Sequence, residues 1–248
     1  MKMRFFVVGL LTLATLAFGQ NVKSKKEAEA VMAVQNAQTP DQRIAAAEDL
    51  VRKFRDTEFK AVVLLIAAQS AQQKGDVVGA MTYAQRTLDA DPKNFSAMNV
   101  IASQLAQSTR EFDLDKDEKL GRATKMATNS IAAINASAKP NQQLTEEQWN
   151  AIKKDSLSEA HTALGTIAML NKKWDTAITE FKTAMDVAAT PDPSIDLRLG
   201  SAYIDAGRFD EGVASLNKVS GAAGTNEQIK KIAQTEIARA EKLKAAKK

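Results

Sequence analysis

Between Thr162 and Val219 the chain repeats itself, and that repetition limits its fold more than any other feature. Leu164-Gly165 is followed by Trp174-Asp175-Thr176-Ala177, then Phe181 and Ala184. Leu199-Gly200 and Tyr203 are followed by Gly207-Arg208-Phe209-Asp210, then Gly212 and Leu216. Leu164 and Leu199 stand 35 residues apart, and so do Trp174 and Phe209. Each copy reads as two short helical runs with a break between them, which is a helical hairpin. Gly165 and Gly200 are small because the two helices cross there, and Ala177 and Gly212 meet that crossing from the other side. Small residues at a crossing let ridges enter grooves at an axial separation of about 8–10 Å. Phe181 and Leu216, one turn further on, are expected to fill the space between units. Such a hairpin cannot bury its apolar face alone, so hairpins must stack.

Two copies in register at five or six places resemble the tetratricopeptide (TPR) family, whose period is about 34 residues. The resemblance implies an all-α fold: a TPR-like right-handed α-solenoid of stacked helical hairpins. Here it would carry one extended hairpin and a C-terminal capping helix. Composition agrees, since hydrophobic residues make up 44% of the 248-residue chain but aromatics only 5%. An apolar set dominated by alanine suits close-packed helices rather than sheets. There is no cysteine, so neither a disulfide nor a thiolate metal site is available.

The expected organisation follows the period. Residues 1–19 read as a signal peptide: Lys2 and Arg4, then an apolar run from Phe5 to Phe18, then Ala17 and Gly19 ahead of cleavage before Gln20. The apolar run is short for a membrane span. The chain is thus expected to be exported, with the periplasm as its address and no membrane insertion after cleavage. Residues 20–60 read as a degenerate hairpin in which Ala46 and Leu50 repeat the small-then-large pattern. Residues 61–94 are a clearer repeat, with Leu64, Ala67, Ala68 and Ala71 on one face, a turn at Gly75-Asp76, then Val77, Ala80 and Ala84. Residues 95–157 exceed one period and predict a divergent repeat with a protruding hairpin. The helix entering it begins with a capping box, Thr145 and Gln148, and a hydrophobic staple, Leu144 and Trp149. Residues 158–192 and 193–225 are the two matching repeats. Residues 226–248 form a helix that would close the open end.

Chemistry is sparse. The single histidine, His161, sits one turn before Leu164 and reads as a wedge between helices. Asp113, Asp115, Asp117 and Glu118 resemble the start of a calcium loop. Glu118 stands where that loop needs glycine, and Thr124 where it needs its closing glutamate, so an acidic first helical turn is the simpler reading. No phosphate loop, nucleophile elbow or zincin helix is present, so the chain is expected to be no enzyme, with no cofactor and no metal. The formal charge of +4 includes Lys2 and Arg4 of the leader, which leaves too even a balance to point to nucleic acid.

The resemblance also implies a concave face lined by the first helix of each hairpin. Carried onto this chain, the lining includes Gln69, Gln72 and Gln73; Asn99, Ser103 and Gln107; Thr162 and Thr166; and Arg198, Ser201 and Asp205, together with Leu65 and Met169. Chaperone-binding members hold a peptide's C-terminal carboxylate in a clamp of Lys, Asn and Arg. Here only Arg198 stands at a clamp-like place, while Leu65 and Glu159 occupy two of the lysine positions, so that clamp is not expected. A polar, nearly uncharged face suits an extended protein or peptide partner. The alternative is a structural subunit that uses the 109–149 hairpin as its interface and leaves the groove idle. Homo- or hetero-oligomers fit either reading.

Overall fold

The computed structural model describes residues 22–140, 144–221 and 225–246. Among these it shows eleven helices and no strand: α1 (Lys25–Asn36), α2 (Pro40–Lys53), α3 (Lys60–Lys74), α4 (Val77–Ala90), α5 (Phe95–Ser108), α6 (Lys116–Ala136), α7 (Glu146–Leu170), α8 (Trp174–Val187), α9 (Pro193–Asp205), α10 (Phe209–Gly221) and α11 (Glu227–Ala246). The leader reading, residues 1–19, lies outside the described residues.

Helices pair as α1/α2, α3/α4, α5/α6, α7/α8 and α9/α10, and each even helix also packs on the odd helix that follows. From α3 onward the backbone of each odd helix also approaches the next odd helix, whereas consecutive even helices stand further apart. The array therefore bends toward its odd helices, which form the inner, concave layer. This is an all-α solenoid.

The local signals that start and stop these helices are explicit. Thr39 with Gln42 and Thr145 with Gln148 each form a complete capping box. Asp76 and Asn94 cap α4 and α5 by accepting from Gly79 N and Ala97 N. Three hairpin turns share one bond pattern: Asp76 N donates to Ala71 O, Lys173 N to Ala168 O and Arg208 N to Tyr203 O. This is the Schellman ending, which needs a left-handed residue just past the helix. Gly75 (φ 77) and Gly207 (φ 76) supply it in two turns, and Lys172 (φ 57) supplies it in the third.

The glycine crossings are where the repeat placed them, but their neighbours differ. A Cβ on Gly165 would lie 2.6 Å from the Phe181 ring, and one on Gly200 would lie 2.6 Å from Leu216 Cγ. One on Gly212 would meet Ile204 Cγ1 at 2.6 Å and Gly200 O at 3.0 Å. Phe181 and Leu216 thus press onto the glycine of their own hairpin, rather than only filling space between units. Phe181 then reaches the core that Ile195 and Leu199 share in the next hairpin. In the first hairpin the fully buried small residue is Ala47; Ala46 keeps partial exposure.

The long middle repeat is the extended hairpin that its length predicts, and its extra turns pack back on the stack. α6 has 21 residues and α7 has 25. Their extra turns bury Ile134, Leu144 and Trp149. The Trp149 ring sits 6.2 Å from that of Phe95, and Ser130 Oγ donates to Phe95 O. The extension is a brace against the start of α5.

α11 stands where the first helix of a sixth hairpin would stand. Lys244 near its end pairs with Asp210 at the start of α10, as Lys74 at the end of α3 pairs with Asp41 at the start of α2. Its apolar side, Ala233, Ala240, Ile229 and Ile237, closes the cluster of Ile204, Leu216 and Val219. Its exposed residues are mostly polar, Lys231, Gln234, Glu241 and Lys242 among them, as on a terminal cap, with Ile232 and Leu243 exposed beside them.

Candidate functional site

α7 is clasped on two sides. One side, with Trp149, Ser156, Ala160, Ala163 and Ile167, packs toward α5 and α6; the other, with Gly165 and Ala168, packs toward α8 and α9. The helical period leaves a partly exposed stripe, Asp155, Glu159, Thr162 and Thr166, at i, i+4, i+7 and i+11, while Asn150 and Lys154 are exposed on another side of the helix. The stripe faces inward between α5 and α9.

The eleven expected lining residues divide into three groups. Gln69, Gln72, Ser103, Gln107, Thr162, Thr166 and Arg198 keep exposure along the odd helices. Gln72 Nε2 donates to Ser103 Oγ at 3.4 Å, linking α3 to α5, and Thr166 Oγ1 donates back to Thr162 O. A second group is taken by neighbours: Gln73 Oε1 accepts from Arg43 of α2, Ser201 Oγ donates to Glu236, and Asp205 pairs with Arg239 at 2.8 Å. α11 therefore occupies the inner face of α9 at Ser201 and Asp205. Asn99 forms the third group, only 4% exposed and sunk into the α5–α7 joint. Leu65 and Met169 pack against core clusters instead of lining a groove.

Sequence reasoning placed Glu159 at a clamp-lysine position, as evidence against that clamp, and gave it no role of its own. Asn99 Nδ2 donates to Ser156 O at 2.8 Å and to Glu159 Oε2 at 3.2 Å. Glu159 stays exposed to water as a residue, and its carboxyl is crowded by Asn99, Asp155 and Asp192. That crowding takes water from the carboxyl, which is the main cause that pushes its pKa up to about 7; the Asn99 amide opposes it, and the carboxylates of Asp155 and Asp192 add to it. Crowding also pushes the Arg198 guanidinium below its ordinary value, with Asp192 partly offsetting it. Asp155 accepts from the amides of Ala189 and Thr190 and from Thr190 Oγ1, which fixes the α8–α9 loop beside this floor. Asp192 caps α9 through Ser194. The signal for Glu159 was its place on the Thr162 stripe, one turn earlier.

The other chemical candidates are occupied by structural roles. His161 Nδ1 lies 2.7 Å from Glu180 Oε2 and ties α7 to α8. Asp113 accepts from Arg110 N, and Lys119 bridges Asp113 and Asp115. Those two aspartates therefore precede α6, and only Asp117 and Glu118 form its acidic first turn. Among the described residues no group of three or more His, Cys, Asp or Glu side chains is placed to hold a metal ion. No described helix is long and apolar enough to cross a membrane.

No family profile and no curated protein matches the chain. Among solved structures, a thermophilic TPR protein of Thermus thermophilus matches at 15% identity with a TM-score of 0.58. That match covers 86% of this chain and 96% of that one. The assembly chaperone of RpL4 aligns at 10% identity over 89% of this chain and 97% of its own, with a TM-score of 0.43. The first likeness shows the fold: this chain has a TPR-like all-α repeat fold.

Proposed function

We propose that the chain is a non-catalytic scaffold of the cell envelope that holds a protein or peptide partner on its inner face. The observation that carries this is the partly exposed polar stripe of α7, flanked by α5 and α9. Beside that stripe, Ala160, Ala163, Gly165, Ile167 and Ala168 are buried against the neighbouring helices. An extended segment laid there would meet Gln69, Gln72, Ser103, Thr166 and Arg198, each of which can offer a hydrogen bond contributing about 1 kcal/mol net. Export rests on the leader reading. Fractionation with N-terminal sequencing tests it: a periplasmic chain beginning at Gln20 supports it, and a cytoplasmic chain retaining Met1 removes it.

A second reading rests on a separate observation. Phe112 and Leu114 are 89% and 108% exposed on the α5–α6 loop, which is anchored by Asp113 and by the Glu111–Lys172 pair. Two bare apolar side chains on a fixed loop suit an interface. Excising the loop with its helix cannot separate the two readings, because α6 carries core residues Leu120, Ala123, Ala127 and Ile134. Point substitutions can. Partner capture in a pull-down should fall at least tenfold with Thr166→Arg and stay unchanged with Phe112→Ser/Leu114→Ser; the reverse pattern assigns the loop.

A further inference from the structure

The inner floor is unbalanced in charge and in hydrogen bonding. Asp155, Glu159 and Asp192 are close enough to raise one carboxyl together, and Arg198 is the cation coupled to Asp192. Neither Glu159 nor Arg198 belongs to an ion pair among the described residues; Glu159 has a single side-chain hydrogen bond there, from Asn99. Asn99 is only 4% exposed, and its Oδ1 has no partner although its Nδ2 is bonded to the same glutamate. Thr162 Oγ1, one turn from Glu159, is also buried without a partner. A buried acceptor without a donor is costly, so the local demand is for N–H groups. α5 brings no charged side chain to this joint, and neither Asn99 Oδ1 nor Thr162 Oγ1 has a partner among the described residues.

We propose that Glu159, with Asn99 and Thr162 beside it, forms a subsite for the ammonium or guanidinium of a lysine or arginine side chain on a bound peptide. This rests on the inner-face reading above. Glu159 supplies the facing carboxylate. Asp155 and Asp192 are held by the α8–α9 loop and the α9 cap, and they add negative potential without being consumed by a pair. A charge-assisted bond to a cation in a crowded site exceeds a neutral one. An anionic group in the same place would face three carboxylates.

The test is a selection of random dodecapeptides displayed on phage against the purified chain. Retained sequences are measured again on Glu159→Gln and on Thr166→Arg, after circular dichroism shows that both variants keep the native helical signal and thermal transition. The expected result is enrichment of one lysine or arginine at a fixed position and loss of binding on Thr166→Arg. On Glu159→Gln we expect a roughly tenfold loss that disappears when that residue is replaced by glutamine in the peptide. Peptides that need Thr166 but show no cationic preference, or bind Glu159→Gln equally well, would overturn the subsite and leave the inner face standing as a binding surface. Failure to select any peptide sensitive to Thr166→Arg would overturn both.

Discussion

The residue scale is set by contacts that admit one size of side chain. Gly165 faces the Phe181 ring with no room for a Cβ, whereas a Cβ on Gly121 in α6 would meet nothing within 4 Å. Gly165→Val should therefore cost about 2 kcal/mol or more by overpacking. Gly121→Ala should gain up to about 1 kcal/mol from helix propensity. Lys172 sits at φ 57, where the sister turns hold glycine. Left-handed backbone costs an L residue about 1–2 kcal/mol, and the exposed Lys172–Glu111 pair offsets little of it. Lys172→Gly should raise the thermal midpoint by about 1–4 °C, and the rise should persist on a Glu111→Gln background; a fall there would show that the turn is relaxed. Glu159 gives a pH signature. Its folded pKa is raised from 4.5 to about 7, so its stabilising contribution is full below pH 4.5 and is lost as pH rises toward 7. The stability difference between wild type and Glu159→Gln should decline across that window and then flatten. A level difference from about pH 4 to about pH 8 would remove the crowded-carboxyl account.

At the scale of elements, the sequence spoke clearly where a local rule sufficed. Thr145 and Gln148, Gly75 and Gly207, and the crossing glycines each answer to a backbone need, and each was readable without a fold. What Phe181 touches was not readable, because a large residue on the second helix can lean into its own hairpin or the next. The extended hairpin of α6 and α7 was readable from the length of the middle repeat, but its packing on α5 was not: Trp149 meets Phe95 across 54 residues of chain, and no local pattern announces that contact. Truncating Trp149 to alanine should cost about 3–5 kcal/mol. It should also speed amide exchange at the end of α6 and the start of α7; exchange that changes only in the Thr109–Asp115 loop would contradict the packing. α11 hid a signal that was available. Glu236 and Arg239 lie 35 and 34 residues past Ser201 and Asp205, the residues they bind. The period runs on one helix further than the matching residues suggested.

For the whole molecule, the odd helices form one inner surface because they approach each other more closely than the even ones do. Polar lining was foreseeable from the spacing of the glutamines, serines and threonines. Its extent was not, because α11 closes the groove over Ser201 and Asp205 and the α5–α7 joint absorbs Asn99. What remains open runs from Gln69 through Thr166 to Arg198, with Glu159 at its floor. The most direct test of the inner surface as the working face is site-specific photo-crosslinking in cells. A benzophenone side chain would replace Thr166 on the inner stripe of α7, Thr179 on the exposed side of α8, or Phe112 on the loop. The account predicts a discrete adduct from Thr166 and none from the other two positions. Adducts from Phe112 or Thr179 with none from Thr166 would contradict it.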